Sequence, residues 1–212
     1  MNNKVVIENF KKNNPALLVC LPQIFAALDL IKDAFKASGK LLVCGNGGSA
    51  SDSMHIVGEL QKSFTLERSL LKEDTEKFTN LADGAYLALH LVRGLPAVSL
   101  VSEAAMLTAM SNDVGADLCF AQQVWSLGQT NDVLFCISTS GNSRNVVLAA
   151  ETAKAKGMKV VSLIGLNPNA KLIQYSDVVI MVPSQLTYRV QEYHLPVYHF
   201  MCLMLESEFF HK

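Results

Sequence analysis

The chain has 212 residues, a length that fits one domain with some decoration. Half of them are hydrophobic and 17% charged, with a mean hydropathy of +0.25, so a sheet covered on both faces and large apolar patches buried between copies are both expected. The net charge of −1 argues against a basic nucleic-acid surface, and no run of about 18 apolar residues points to a membrane span. In chain order, Leu17 to Ala37 has apolar residues at helical spacing (Ile24, Leu28, Ile31, Phe35), which predicts an amphipathic helix stopped by Gly39. Leu41 to Cys44 reads as a strand, and a helix should run from about Ala50 to Phe64. The segment 65–93 is polar, then apolar, without a clear strand; Lys72 to Val92 has room for one or two helices broken at Asp83-Gly84. Pro96 to Val101 reads as a strand, and Ala104 to Met110 and Phe120 to Leu127 as short helices. Val133 to Ile137 is a strand, and Asn145 to Lys156 a helix capped by Gly157. Val160 to Ile164 and Asp177 to Val182 are strands, and Gln191 to His211 is a long C-terminal helix. Strands alternating with helices predict an α/β fold with a parallel sheet, whose ligands bind beyond the carboxyl ends of the strands.

The N-terminus, MNNKVVIENFKKNNP, has acidic and amide residues where a signal peptide needs an apolar core, so a cytoplasmic protein is expected. The five cysteines (Cys20, Cys44, Cys119, Cys136, Cys202) are scattered and form no CxxC pair. They read as small core hydrophobes in a reducing compartment, not as disulfides or zinc ligands.

Two strand ends carry unusual loops. The first strand runs into Gly45-Asn46-Gly47-Gly48-Ser49 and then a helix start, where free backbone N–H groups and the helix dipole suit a phosphate or another oxyanion. The spacing matches neither GxGxxG nor GxxxxGK[ST], which disfavours dinucleotide and Walker-type binding. A bare tight turn is the plain alternative. The second loop, Ser138-Thr139-Ser140-Gly141-Asn142-Ser143, weakens that alternative, because a helix cap uses one hydroxyl and this loop has four. Together the loops suggest a phosphorylated small molecule.

His55 and Glu59, four positions apart, share one helix face, as a base with its partner, as joint metal ligands, or as a surface polar pair. On the last helix, Gln191, Glu192, His194 and His199 cluster. Gln191 and His199 point roughly 80° apart on an ideal helix, and Pro196 between them is expected to kink it. His194 reads as a helix-surface residue, and the plain reading of His199 is a satisfied core histidine among Tyr198, Phe200, Met201 and Leu203.

The motifs GNGGSASDSMHIVGEL, SND, ISTSGNSRNV, AKGMKVVSLIG and RVQEYHLPVYH, in this order, resemble the sugar isomerase (SIS) domain family, and within it the phosphoheptose isomerases. The resemblance covers nearly the whole chain except 65–93. It implies a three-layer αβα sandwich with a five-stranded parallel sheet, an N-terminal helix and a long C-terminal helix. It also implies a homotetramer with sites at subunit interfaces, in the cytoplasm. The implied activity is the isomerisation of sedoheptulose 7-phosphate to D-glycero-D-manno-heptose 7-phosphate through an enediol, on the way to surface polysaccharide. By the same resemblance Asn46, Gly47, Gly48, Ser49, Glu59, Asn112, Asp113, Ser138, Thr139, Ser140, Ser143 and Gln191 contact substrate. Glu59 and His199 match the catalytic pair, and His55, Glu59, Gln191 and His199 match the ligands of one zinc ion per subunit. Three departures stand out. Ser63, beside Lys62, occupies the position where an arginine often follows the catalytic Glu, and Arg93 is the candidate replacement. Tyr188 stands where a small or acidic residue is usual, and 65–93 reads as a helical insertion in a single domain. The competing readings are a non-catalytic module that binds a phosphosugar or a protein, and an isomerase of another phosphosugar. Retention of Glu59, His199, His55 and Gln191 favours the enzyme.

Overall fold

The computed structural model describes residues 3–211. In chain order its main elements are α1 (Asn3–Asn13), α2 (Leu21–Lys36), β1 (Leu41–Cys44), α3 (Gly48–Gln61), α4 (Lys72–Thr75) and α5 (Gly84–His90). Then come β2 (Ala97–Ser99), α6 (Ala104–Asp113), α7 (Cys119–Leu127), β3 (Val133–Ser138), α8 (Arg144–Ala155), β4 (Lys159–Ile164), β5 (Val178–Met181) and α9 (Thr187–Phe210). The five apolar runs expected to be strands form one sheet in the order β2-β1-β3-β4-β5, and every pairing is parallel.

Strand alternation builds the two covering layers. Leu41, Val43, Val133, Phe135 and Ile137 pack with residues of α1, α2, α3 and α9. Leu42, Cys44, Leu134 and Cys136 point the other way, toward α7 and α8. Burial on both faces explains why these strands read as continuous apolar runs. The result is the expected α/β three-layer sandwich. After β1 the chain moves to one side for β2 and then returns to the other side for β3. This switch point between β1 and β3 opens the crevice where such sheets bind ligands. All five cysteines are buried and free, as expected of small core hydrophobes.

The differences from the sequence reading have local causes. The first long helix divides, because Pro15 opens a 3-10 turn over Pro15–Cys20 and Pro22 opens α2. Pro15–Lys36 is by length and a mean hydropathy of 1.6 apolar enough to cross a membrane, although Gln23, Asp29, Lys32 and Asp33 interrupt any continuous apolar run. Here Ile24, Ala27, Leu28, Ile31 and Ala34 form its buried face within the first layer. The helix α3 ends at Gln61, because Lys62 turns to an extended conformation. In the segment 65–93, α4 and α5 are short helices, and a bridge joins Ser69 to Val92.

Candidate functional site

Both predicted loops lie at the carboxyl ends of β1 and β3, on either side of the switch point. Gly47 has φ of 56° and ψ of −121°, a conformation open to glycine, and it hands the chain into α3. The described backbone hydrogen bonds leave the amides of Gly47 and Gly48 without partners, as an anion cradle requires. Ser49 differs: it is buried in the first turn, and its amide is used by the Asn46 carbonyl at 3.0 Å. The two loops are tied by a reciprocal amide pair. Asn46 Nδ2 donates to Asn145 Oδ1 at 2.8 Å, and Asn145 Nδ2 donates to Asn46 Oδ1 at 2.9 Å. The sequence reading did not single out Asn145.

None of the loop hydroxyls is used to cap α8. Ser143 stands at the cap position, but its Oγ lies 3.1 Å from Ser138 Oγ. The Gly141 amide donates to Ser138 Oγ and the Asn142 amide to Ser140 Oγ, at 3.2 and 3.1 Å. Gly141 has φ of 67°, and a Cβ there would meet Ala170 at 2.5 Å, so glycine closes the loop against its neighbour. Thr139 and Ser140 line a cavity of about 290 Å³ with Leu166, Asn167 and Gln185.

A second cluster forms where α9 runs alongside α3. Glu59 is 8% exposed, which rules out the surface-pair reading. Its Oε1 lies 3.3 Å from His55 Nε2 and its Oε2 2.8 Å from Lys62 Nζ. The His199 ring stands edge-on to His55 with centroids 4.9 Å apart, and its Nε2 is buried without a partner, so it is not a satisfied core histidine. Burial lowers the His199 pKa, the nearby His55 adds to this, and Glu59 opposes it. The Tyr198 hydroxyl contacts Asp52 Oδ1 at 3.2 Å and His55 Nδ1 at 3.1 Å, and burial foremost pushes that phenol upward.

Two expectations are corrected. His194 is fully buried, not on the surface; burial pushes its pKa down to about 4, opposed by a contact with the Ile164 backbone. Its helix face turns toward the sheet because Val190 and Val197 bury the same side of α9. Arg93 does not replace the missing guanidinium: its Nε donates to the Ser69 carbonyl, and its guanidinium stacks on Phe210. The arginine that reaches the end of α3 is Arg68, which donates to the carbonyls of Leu60 and Glu59 and pairs with Glu206, both side chains being fully buried.

The structure separates the remaining residues. Gln191 lies against Gly48, where a Cβ would come within 2.5 Å of its Nε2. Eight residues of helix place it about 12 Å along the axis from His199. Asn112 and Asp113 bond to one another at 2.8 Å at the exposed end of α6. Of the four residues matched to zinc ligands, His55 and Glu59 are adjacent and the His199 ring lies edge-on to His55, while no group of three or more His, Cys, Asp or Glu among the described residues is arranged to hold a metal ion.

A glycine turn and a hydroxyl loop at a parallel-sheet switch point, with a carboxylate–imidazole cluster on the flanking helices, define a phosphosugar-handling SIS-domain protein, and the SIS domain family matches residues 21–79 and 84–165. The phosphoheptose isomerase of Helicobacter pylori is 40% identical over 97% of this chain and 92% of that protein. The corresponding enzyme of Citrifermentans bemidjiense is 39% identical over 90% of this chain and 86% of its own length. The chain belongs to the phosphoheptose isomerase family. Among solved structures, the phosphoheptose isomerase of Neisseria gonorrhoeae superposes with a TM-score of 0.72 at 31% identity, covering 97% of this chain and 93% of that one. That of Francisella tularensis gives 0.74 at 27% identity over 98% and 100%.

Proposed function

We propose that the chain interconverts sedoheptulose 7-phosphate and D-glycero-D-manno-heptose 7-phosphate through an enediol. The observation that carries this reading is the buried Glu59 carboxylate on the helix that starts at the glycine turn, in contact with His55 and Lys62 and with His199 edge-on to that His55 ring. Ketose–aldose isomerisation moves a proton between adjacent carbons and adjusts protons on the neighbouring oxygens. Glu59 takes the carbon proton. His199, kept neutral by burial, offers a ring N–H to the carbonyl oxygen. Lys62 Nζ donates to the other carboxylate oxygen of Glu59 at 2.8 Å and orients it.

The phosphate is assigned to the free amides of Gly47 and Gly48 and to the hydroxyls of Ser138, Thr139, Ser140 and Ser143. Asn46 spans both loops. Asn112, Asp113 and Gln191 are assigned to the sugar in an assembled homotetramer, with Gln191 lying against Gly48 of the glycine turn. Ser49 keeps only its hydroxyl for this purpose. For zinc, His55 and Glu59 are the donors one chain offers side by side; metal analysis of the purified protein and of its His55→Ala variant tests that part. The same reading puts the reaction in the cytoplasm, upstream of surface polysaccharide.

The experiment is incubation with sedoheptulose 7-phosphate in deuterated water, followed by NMR. Appearance of the aldose phosphate, with solvent deuterium at the adjacent carbon, establishes the reaction. Binding without conversion points to a different phosphosugar or to a binding module.

A further inference from the structure

The segment 65–93 does more than lengthen the chain. With the ends of α2 and α9 it walls a cavity of about 640 Å³, a size that suits a small organic ligand. The cavity reaches Leu95 and Pro96, just before β2, so it lies at the opposite end of the parallel strands from the two loops that follow β1 and β3. Its walls are apolar and largely aromatic, with Phe35, Phe78, Phe209 and Phe210 among them. Three charged side chains also line it, and two of them cancel, because Lys77 pairs with Asp74 at 2.6 Å. The third is Arg93. Its guanidinium carbon stands 5.0 Å from the centre of the Phe210 ring, and its Nε donates to the Ser69 carbonyl at 3.2 Å. Its Nη donors have no partner, and no carboxylate pairs with it, among the described residues. Arg68 makes the contrast. That guanidinium lies over the same ring at 4.6 Å, but Glu206 neutralises it at 2.8 Å. Of the two cations on the Phe210 ring, only Arg93 lacks a counter-charge.

We propose that this cavity binds a small organic carboxylate with a flat apolar body, at a site separate from the one that holds the sugar phosphate. The phenylalanine rings take the apolar body, and the Nη donors of Arg93 make the paired bonds that a guanidinium forms with a carboxylate. A phosphate dianion fits less well, because it calls for a second free cation and Asp74 keeps Lys77 occupied. The wall is preformed. The Arg93 amide donates to the Arg68 carbonyl at 2.7 Å, the Leu95 amide donates to the Leu60 carbonyl at 2.9 Å, and the bridge between Ser69 and Val92 closes the base of the segment.

The probe is 2-naphthoate, with 2-naphthamide as its neutral match, each titrated into the parent chain by calorimetry. Naphthoate should bind saturably in the sub-millimolar range, and about tenfold or more tightly than naphthamide, as a charge-assisted hydrogen bond is worth. Arg93→Met should weaken naphthoate by about tenfold and leave naphthamide within about twofold, so that the preference disappears. Phe78→Ala should weaken both probes by about fivefold. Sedoheptulose 7-phosphate should not displace naphthoate. The proposal is overturned if naphthoate does not bind, if the two probes bind alike, if Arg93→Met keeps the preference, or if the sugar phosphate competes. Failure to bind the assembled parent, with binding restored in the Tyr86→Glu, Leu89→Glu variant, overturns it in favour of a second copy of the chain as the occupant. If Arg93→Met fails to fold, the two probes on the parent and on Phe78→Ala decide the matter, and an unchanged affinity in Phe78→Ala overturns the proposal.

Discussion

At the residue scale, the site depends on Glu59 as a proton acceptor and Gly47 as a conformational hinge. Glu59→Gln keeps the shape and removes the basic oxygen, so turnover should fall by about 10²–10⁴-fold, while binding of the phosphosugar, read by calorimetry, persists. Full turnover in this variant would sink the proton-transfer assignment. Gly47→Ala acts differently. No atom lies within 4 Å of the added methyl, so the cost is backbone strain at φ of 56° and not a clash. That strain is about 1–3 kcal/mol, and it should distort the free amides, raising KM more than it lowers kcat; an unchanged KM would remove the turn from the phosphate site. The spacing of His55 and Glu59 was readable because it concerns one helix. The burial of His194 and the convergence of Asp52, Tyr198 and His199 were not, because periodicity gives a direction around one axis and not the identity of the helix alongside.

At the element scale, the end of α3 is held by a buried ion pair contributed by two distant segments. Arg68 closes the orphan carbonyls of Glu59 and Leu60, while Glu206 accepts from the Phe64 and Thr65 amides and the Thr65 hydroxyl. Breaking such a pair strands a charge in the core, so Arg68→Ala should cost about 3–5 kcal/mol in denaturant unfolding; a loss under about 1 kcal/mol, as expected of a surface pair, would show that it is not needed. Burial alone would raise the Glu206 pKa, but Thr65, the two amides and Arg68 hold it below its ordinary value of 4.5. A carboxyl depressed in the folded state stabilises the fold above its unfolded pKa and loses that contribution as pH falls through the folded value. Stability should therefore drop below pH 4.5, and Glu206→Gln should be weaker at pH 7 with a shallower acid-side slope in thermal melts. A parent-like slope in that variant would place the acid response elsewhere. The strands were legible because doubly buried parallel strands read as apolar runs, and the Leu41–Cys44 bounds agree with the structure. The anchor on α3 was not: Arg68 and Glu206 are 138 residues apart, and no local pattern links them.

At the scale of the whole molecule, the apolar excess of the sequence is only partly consumed by the single chain. In the segment 65–93, Leu81, Tyr86 and Leu89 remain 55%, 65% and 77% exposed, and α6 has no buried residue at all. Exposed large apolar side chains suit burial between copies, and a net charge of −1 offers little repulsion between them. The site makes the same demand. Asn112 and Asp113 bond to one another at the exposed end of α6, and the proposed reading gives them, with Gln191, to a sugar pocket shared between copies. Assembly and activity should then fall together. Light scattering should give the parent a mass four times that of one chain, and the pair Tyr86→Glu and Leu89→Glu should reduce that mass. Both positions are exposed and far in sequence from the loops and from Glu59, so a folded variant keeps its own phosphate cradle and its own base. Its turnover should nonetheless drop, with circular dichroism unchanged. A smaller assembly with parent-like kcat and KM would mean that one chain completes the site, and the assignment of Gln191, Asn112 and Asp113 to a shared sugar pocket would have to be abandoned.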